Sequence, residues 1–530
     1  MSKKSGSTKL KRAKSPESVG VSTKAIAAFI EDMEGEGIEC HSLMVLREGK
    51  VAYEAYADPL GPDDPHIMYS VSKSFTATAI GFAVEEGLLT LETKILDIFP
   101  EYRPEKEDPF LEKLNVFHLL TMTAGKDVPT LSDKARDTWT DDFFTAKWAF
   151  EPGNFFRYVS ENTFILSAAI TKLTGLTLSE YLTPRLYEPL GFGRVPFWEK
   201  NGEGIDAGGW GMYLKTEELA KFTLCYQQGG VFEGKQVIPA HWAENAGKKQ
   251  VESLQYEEIS CIQGYGYGFW LNPVENSYRA DGLFSQFGMV FADQGACLIM
   301  TASEIFEDKA RECVWRHFPA AFTEKGKKDE RDLPTLKPLP RLEAMPRSKK
   351  EEFLEGRIIK LAKNPVFAKA GMTANMVIAV VTKMNHERHG DIEEMRFKFY
   401  DDYCTITWRE GLYKNTIECG MDGKARFSPF RLSQYNFTAA ATAAWEDDEN
   451  LSVWVSTLEA IGQRRMKLTI DGDKISVHMG SVPDGEDTMK YLADFVGYFV
   501  KPKLLVAGAK WVLSKGAFTV EPKKRARLKD

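Results

Sequence analysis

The sequence predicts an α+β protein in two parts: an antiparallel sheet flanked by helices and carrying a helical insert, then a mostly β C-terminal domain. Three observations predict it. Two hairpin patterns, at 42–56 and 287–301, bracket a long stretch with few strand-like runs. A charged, proline-rich stretch from Glu324 to Pro346 then interrupts the chain. Beyond it, apolar and polar residues alternate through successive short runs.

In chain order, Ile26, Ala27, Phe29, Ile30 and Met33 have the spacing of a helix with one apolar face. Ser42–Arg47 and Val51–Tyr56 flank the turn Glu48-Gly49-Lys50, which makes them a hairpin. Met68-Tyr-Ser70-Val-Ser72-Lys73-Ser74 opens a largely buried helix that ends near Gly87. Helical or turn-rich chain follows to about Leu190, including Phe117–Gly125, where His118 reads as a buried or capping residue. Pro152-Gly153 makes a turn before Tyr158-Val-Ser160 and an apolar helix. Gly208-Gly209-Trp-Gly211 feeds a helix capped by Thr216. Gly264–Leu271, with aromatic residues between glycines, reads as a strand, because no helix follows to present its N-terminus to a phosphate. Phe287–Ala292 and Ala296–Thr301 form the second hairpin, and a helix runs from about Glu304 to Phe322. After the break, hairpins around Asp401-Asp402 and Asp471-Gly472-Asp473 predict a meander or small barrel, closed by a helix from about Thr488. The domain reading is therefore a flexible leader at 1–20, a first domain at 21–323, a linker at 324–350 and a β-rich domain at 351–530.

Bulk properties narrow the function. A chain of 530 residues is too long for one core, and 43% hydrophobic with 27% charged residues is ordinary for a globular protein. Its 68 basic and 76 acidic residues give a net charge of −8, which offers no general attraction to nucleic acid. The basic run Lys523–Lys529 reads as a solvated tail. No stretch approaches the roughly eighteen apolar residues of a membrane span, and the basic start lacks the apolar run of a secretory signal. Seven scattered cysteines form no Cys-x-x-Cys pair, which fits a reducing compartment, with the cytoplasm expected, and disfavours zinc. His386-Glu-Arg-His389 is one residue short of a zinc-peptidase spacing, and Gly-x-Ser-x-Gly is absent.

One tetrad carries chemistry. Ser70-x-x-Lys73 is the only Ser-x-x-Lys in the chain, and three residues along a helix bring the amine within reach of the hydroxyl. A serine is nearly inert at neutral pH unless a neighbour takes its proton, and a desolvated lysine near the positive end of a helix can be neutral enough to do so. The competing reading of the tetrad alone is a helix cap beside a solvated lysine.

With Tyr158-Val-Ser160 following, and Ala280-Asp281-Gly282 on a late strand, the order resembles the penicillin-recognising serine hydrolases. The branch is that of class C β-lactamases, D-aminopeptidases, β-lactamase-fold esterases and 6-aminohexanoate-oligomer hydrolases. His118–Gly125, Pro152-Gly153, Ala207-Gly-Gly and Gly234–Trp242 extend the likeness, which covers roughly residues 15–322. The resemblance implies a β-lactamase-like fold; the C-terminal sheet, which it does not cover, is expected to be lipocalin-like. It makes Ser70 the nucleophile and Lys73 its base. Tyr158 shares the proton traffic, and Ser160, standing for a commoner asparagine, binds Lys73 or substrate. The backbone N–H groups of Ser70 and Leu283 form the oxyanion hole, with Gly282 and Gln286 beside it.

The chain also departs from the family pattern. Alanine at 280 replaces the lysine of the usual Lys-Thr-Gly, so the ammonium that holds a β-lactam or peptide carboxylate is lost. Arg279 is adjacent but on the opposite strand face. The expectation is hydrolysis of a small ester or amide through an acyl-serine, without metal or organic cofactor. D-aminopeptidase or weak β-lactamase activity is the alternative, and a non-catalytic binding protein on the same scaffold is the rival from another class. The C-terminal domain is expected to pack against the hydrolase or to help it form a homo-oligomer.

Overall fold

The computed structural model describes residues 8–127, 139–254, 259–305, 307–326, 332–363, 391–432, 435–472, 474–487 and 521–529. They form two compact units that divide between Lys337 and Pro338.

In the first unit, α1 (Thr23–Gly35) starts where the Ser22 hydroxyl accepts the Ala25 N–H, and it buries Ile26, Phe29, Ile30 and Met33 at helical spacing. Strands β1 (Cys40–Arg47) and β2 (Lys50–Tyr56) turn at Glu48 and Gly49, both at positive φ, the backbone that a two-residue hairpin requires. The insert supplies α2 (Ser72–Glu85), α3 (Ser160–Thr174) and α4 (Thr216–Gln227). Late chain returns as β3 (Trp270–Leu271), β4 (Ser277–Gly282), β5 (Gln286–Phe291) and β6 (Ala296–Ala302), followed by α5 (Glu307–His317). The sheet order is β2-β1-β6-β5-β4-β3, antiparallel throughout, so sequence-distant hairpins share one sheet.

Every residue of β5 and β6 is buried, which requires cover on both faces. Gly288 of β5 lies against Thr223 and Leu219 of α4, whereas Phe291, three residues on and therefore on the other face, meets Phe318 just beyond α5. Phe318 in turn packs edge-on to Phe29 of α1. Helix α2 is buried from Ser72 through Ala83, so it is the central helix of the unit.

Three features of this unit differ from the sequence reading. Residues 8–20, expected as a flexible leader, are packed: Arg12 pairs with Glu54 and Glu217 at 2.5 and 2.9 Å, and Ser15 caps a short 3-10 helix at Pro16–Val19. Of Gly264–Leu271 only Trp270–Leu271 is strand. Gly264 and Gly268 have φ of +113° and +76°, and the segment lies so close to its neighbours that a Cβ on Gly266 would sit 2.0 Å from the Ala246 carbonyl oxygen. Helix α5 stops at His317, before Phe318-Pro319, because the residue preceding a proline is pushed out of helical geometry.

The described residues of the second unit form one ten-stranded sheet, antiparallel along its whole order. Its strands are β7 (Ile358–Leu361), β8 (Ile392–Phe399), β9 (Tyr403–Glu410), β10 (Tyr413–Gly420), β11 (Arg426–Leu432), β12 (Tyr435–Trp445), β13 (Asn450–Thr457), β14 (Gln463–Asp471), β15 (Lys474–Val482) and β16 (Lys523–Lys529). The order is β10-β9-β8-β7-β16-β15-β14-β13-β12-β11, with a further β10–β12 bridge at Gly420 and Thr442. The Asn415 side chain also exchanges hydrogen bonds with the Arg431 backbone, so the two ends of the sheet meet and the strands close into a barrel.

Alternate residues such as Ile406, Trp408, Val453, Val455, Met466 and Leu468 are buried, as period-two patterning requires. Lys523–Lys529 is a correction: it is not a solvated tail but a strand between β7 and β15. Its charges alternate with inward positions, and the buried Lys524 ammonium pairs with the buried Asp391 carboxylate. The helix expected from Thr488 and the His386–His389 pattern lie outside the described residues.

Candidate active site

Ser70 lies in a single 3-10 turn, Tyr69–Val71, that runs directly into α2. Tyr69 is held at φ +45°, an uncommon conformation for a non-glycine residue, with its ring buried edge-on to Phe284 at 5.1 Å. The turn leaves Ser70 half-buried, while Lys73, one helical turn on, is only 1% exposed.

The Lys73 side-chain nitrogen has three polar neighbours. Its Nζ lies 2.9 Å from Ser70 Oγ, 3.0 Å from Ser160 Oγ and 2.7 Å from the Gly209 carbonyl oxygen. Burial lowers its pKa from 10.5 to about 7, and the nearby charge of buried Glu161 works in the opposite direction. A neutral amine has two N–H donors and one lone pair. Gly209 can only accept, so one N–H is spoken for. With the second N–H on Ser160 Oγ, the lone pair is left to receive the Ser70 proton.

Long-range packing brings these groups together. Gly208, at φ +66°, offers its carbonyl to Thr76 Oγ1 on α2 at 2.8 Å. A Cβ on Gly209 would sit 2.7 Å from the Ser160 carbonyl oxygen, so two adjacent glycines let this loop lie flat on α3 and aim a carbonyl at the amine. Tyr158, half-buried just before α3, places its ring centroid 4.8 Å from Lys73 Nζ and stacks on Trp270 at 5.5 Å. Met122, Phe156, Cys261, Tyr265 and Trp270 form a buried apolar cluster against which Tyr158 packs.

Strand β4 forms the opposite edge. A Cβ on Gly282 would come 2.3 Å from the Met68 carbonyl oxygen, so glycine is what lets β4 approach the Ser70 turn. Leu283 is half-buried beyond it, and Phe284 and Ser285 follow at φ +63° and +70°. Gln286 corrects the sequence reading. Its side chain is fully buried, and Nε2 donates to the carbonyls of Leu283, Phe284 and Ala302 at 3.2, 2.9 and 2.7 Å. A group tied to three carbonyls fixes the turn and does not face a substrate.

Ala280 is 1% exposed, and Arg279 is engaged with Asp281 at 2.6 Å on the face the two share. His118 caps its own short helix in a reciprocal pair with Asn115. Sequence reasoning missed the Gly209 carbonyl, Glu161 and Trp270. The doubled glycine at 208–209 was the visible sign of the first.

A family model described as Beta-lactamase matches residues 25–315, which is more than half of the chain. The chain belongs to the Beta-lactamase family. This membership, of a family of serine hydrolases, agrees with the β-lactamase-like first unit. Among similar proteins, the 6-aminohexanoate-dimer hydrolase of Paenarthrobacter ureafaciens is 26% identical over 242 residues, covering 42% of this chain and 61% of that protein. A Beta-lactamase of Escherichia coli K12 is 26% identical over 227 residues, covering 38% of this chain and 58% of that one. The chain thus spans about three fifths of the length of these curated relatives. Among solved structures, a putative 6-aminohexanoate-dimer hydrolase from Bacillus anthracis aligns with a TM-score of 0.49 at 18% identity, over 59% of this chain and 86% of its own. Among the described residues, no helix is long and apolar enough to cross a membrane.

Proposed function

We propose that this member of the Beta-lactamase family hydrolyses a small, uncharged ester or amide through an acyl-serine intermediate. One observation carries the reading: a lysine amine almost wholly withdrawn from water stands 2.9 Å from a half-buried serine hydroxyl. Neutral Lys73 takes the Ser70 proton as Oγ bonds to the substrate carbonyl carbon, and the carbonyl π pair moves onto oxygen. The backbone N–H groups of Ser70 and Leu283 receive that oxyanion. Its collapse expels the alcohol or amine, which takes up a proton through Tyr158 and Lys73, and water then releases the acyl group by the reverse proton path.

The third motif and the packing around Tyr158 support this substrate class. Ala280 carries no charge, and Arg279 is spoken for by Asp281, so the third motif offers no ammonium to a substrate carboxylate. The apolar cluster behind Tyr158 favours an uncharged, hydrophobic group. The relative named for 6-aminohexanoate-dimer hydrolysis supports including linear amides among the candidates.

The test is labelling of Ser70 by a fluorophosphonate, followed by a panel of p-nitrophenyl esters, D-amino-acid amides, linear amide oligomers and nitrocefin. Labelling that disappears in Ser70→Ala, with ester or neutral amide turnover exceeding nitrocefin turnover, is the expected result. An unlabelled folded protein would leave a binding protein as the reading, and strong nitrocefin turnover would overturn the role given to Ala280.

A further inference from the structure

Behind Tyr158 lies a support that the proton-transfer scheme does not use. The phenol ring has Lys73 Nζ over it at 4.8 Å and the Trp270 indole stacked on it, with ring centroids 5.5 Å apart and planes at 24°. Trp270 does not float: Tyr265 and Phe156 meet it nearly edge-on at 5.0 and 5.5 Å. Its register partner on the neighbouring strand is Arg279, whose guanidinium carbon lies 6.0 Å from the indole centroid.

Arg279 is itself fully buried, and two of its three nitrogens, Nε and Nη1, are held by fixed partners. Nε donates to Asp281 at 2.6 Å, and Nη1 donates to Asn272 Oδ1 at 2.9 Å. Arg311 closes the set, 3.5 Å from Asp281 and 2.7 Å from Asp308. A planar guanidinium held at several points is a rigid backing for an indole, which a flexible ammonium would not be. A buried charge cluster is a weak source of stability, since apolar side chains of similar volume would serve about as well. Its position, directly behind a ring that stacks on the tyrosine of the site, suggests another use.

We propose that Trp270, braced by Arg279, is a positioning residue that holds the Tyr158 ring against the Lys73 amine. The inference rests on the acyl-serine reading above and adds to it how the phenol is kept in place. A tyrosine on a loop before a helix has two soft side-chain torsions, and the half-buried Tyr158 would otherwise explore them. Stacking the ring on an indole, with Lys73 Nζ 4.8 Å from its centroid, removes that freedom before substrate arrives, which is how orientation contributes to rate. The titratable and charged groups around the pair are Lys73 on α2, with Glu161 of α3 acting on it, Arg279 on β4, and Cys261 and Tyr265 on the segment before β3.

The experiment compares Trp270→Leu, Trp270→Phe and Arg279→Lys in the full chain, using one p-nitrophenyl ester. Trp270→Leu is expected to lower kcat by about tenfold to a hundredfold with KM changed less than about threefold, and to move the pH profile of kcat. Trp270→Phe, which keeps an aromatic face, should recover most of the rate, and Arg279→Lys should give a smaller loss in the same direction. Circular dichroism identifies any variant that fails to fold, and the two conservative variants then carry the comparison. A folded Trp270→Leu or Arg279→Lys with wild-type kcat and pH profile would overturn the positioning role. Equal losses in Trp270→Phe and Trp270→Leu would do the same, because stacking would then not be what matters. If the wild type is not labelled at Ser70, the underlying acyl-serine reading fails first, so the two failures are distinguishable.

Discussion

At the scale of single residues, the chemistry turns on where one proton sits. Lys73 keeps an ammonium-sized group out of water, and burial moves its pKa down to about 7. Below that value the amine is protonated and cannot accept from Ser70, so kcat/KM should rise with pH through an apparent pKa near 7. The same shift has a sign for stability. Between the folded value near 7 and the ordinary 10.5, the unfolded chain binds more protons at this site than the folded one, so this lysine's contribution makes the protein more stable as pH rises across that window.

Glu161 offers a finer test at the same scale. Its negative charge favours the ammonium, so Glu161→Gln should move the acid limb of the kcat/KM profile to lower pH. A limb that stays put or moves up would show that Glu161 does not act on Lys73. The nearness of Ser70 Oγ and Lys73 Nζ was legible in the sequence because a helix puts residues three apart on one face, a local rule. Gln286 was misread because nothing local says that its amide would turn inward to three carbonyls.

At the scale of elements, the site depends on close backbone approaches made by glycine. Loop 207–211 reaches α3 only because Gly209 has no Cβ to meet the Ser160 carbonyl oxygen at 2.7 Å. Gly209→Ala should shift the Gly209 carbonyl away from Lys73 and lower kcat by about tenfold or more, with a smaller effect on KM, measured by steady-state kinetics on an ester. Gly282→Ala is the harsher change, since its Cβ would meet the backbone oxygen of Met68 at 2.3 Å and no side chain can move to relieve the contact. A stability loss of about 1–3 kcal/mol is expected by denaturant unfolding. Both glycines lay in stretches that the sequence marked as family-like. Which atom each one lets through could not be read, because the contacts join residues far apart in the chain. The strand expected at Gly264–Leu271 failed for a related reason: the glycines there serve close packing of irregular backbone, while the aromatic residues build the cluster behind Tyr158.

At the scale of the whole molecule, two units with different textures share one chain, each with its own core. The break after the first unit was visible as a change from mixed periodicity to alternation, and so was the β character of the second. A small barrel was one of the two expected forms, but closure itself was not legible. It depends on β16, a strand whose composition looks like a solvated tail and whose inward positions include Lys524, acceptable only because Asp391 neutralises it. The barrel also buries Glu410 against Arg464 in a two-pronged pair at 3.0 Å, with Trp408 Nε1 donating to the same carboxylate at 3.0 Å. Glu410→Gln should destabilise that unit by about 3–5 kcal/mol, because it leaves a buried guanidinium without its countercharge. Hydrogen exchange would show this as lost protection within 403–482. Unchanged protection there would mean that the pair is dispensable to the barrel.

The most direct measurement is the rate at which a fluorophosphonate labels Ser70 as a function of pH, between about pH 5 and pH 9, in the wild type and in Lys73→Met. A lysine acting as the base predicts a wild-type rate that climbs with pH through an apparent pKa near 7 and a variant whose rate is lower by orders of magnitude. A wild-type rate that is flat across that range, or a Lys73→Met protein that labels as fast, would contradict it.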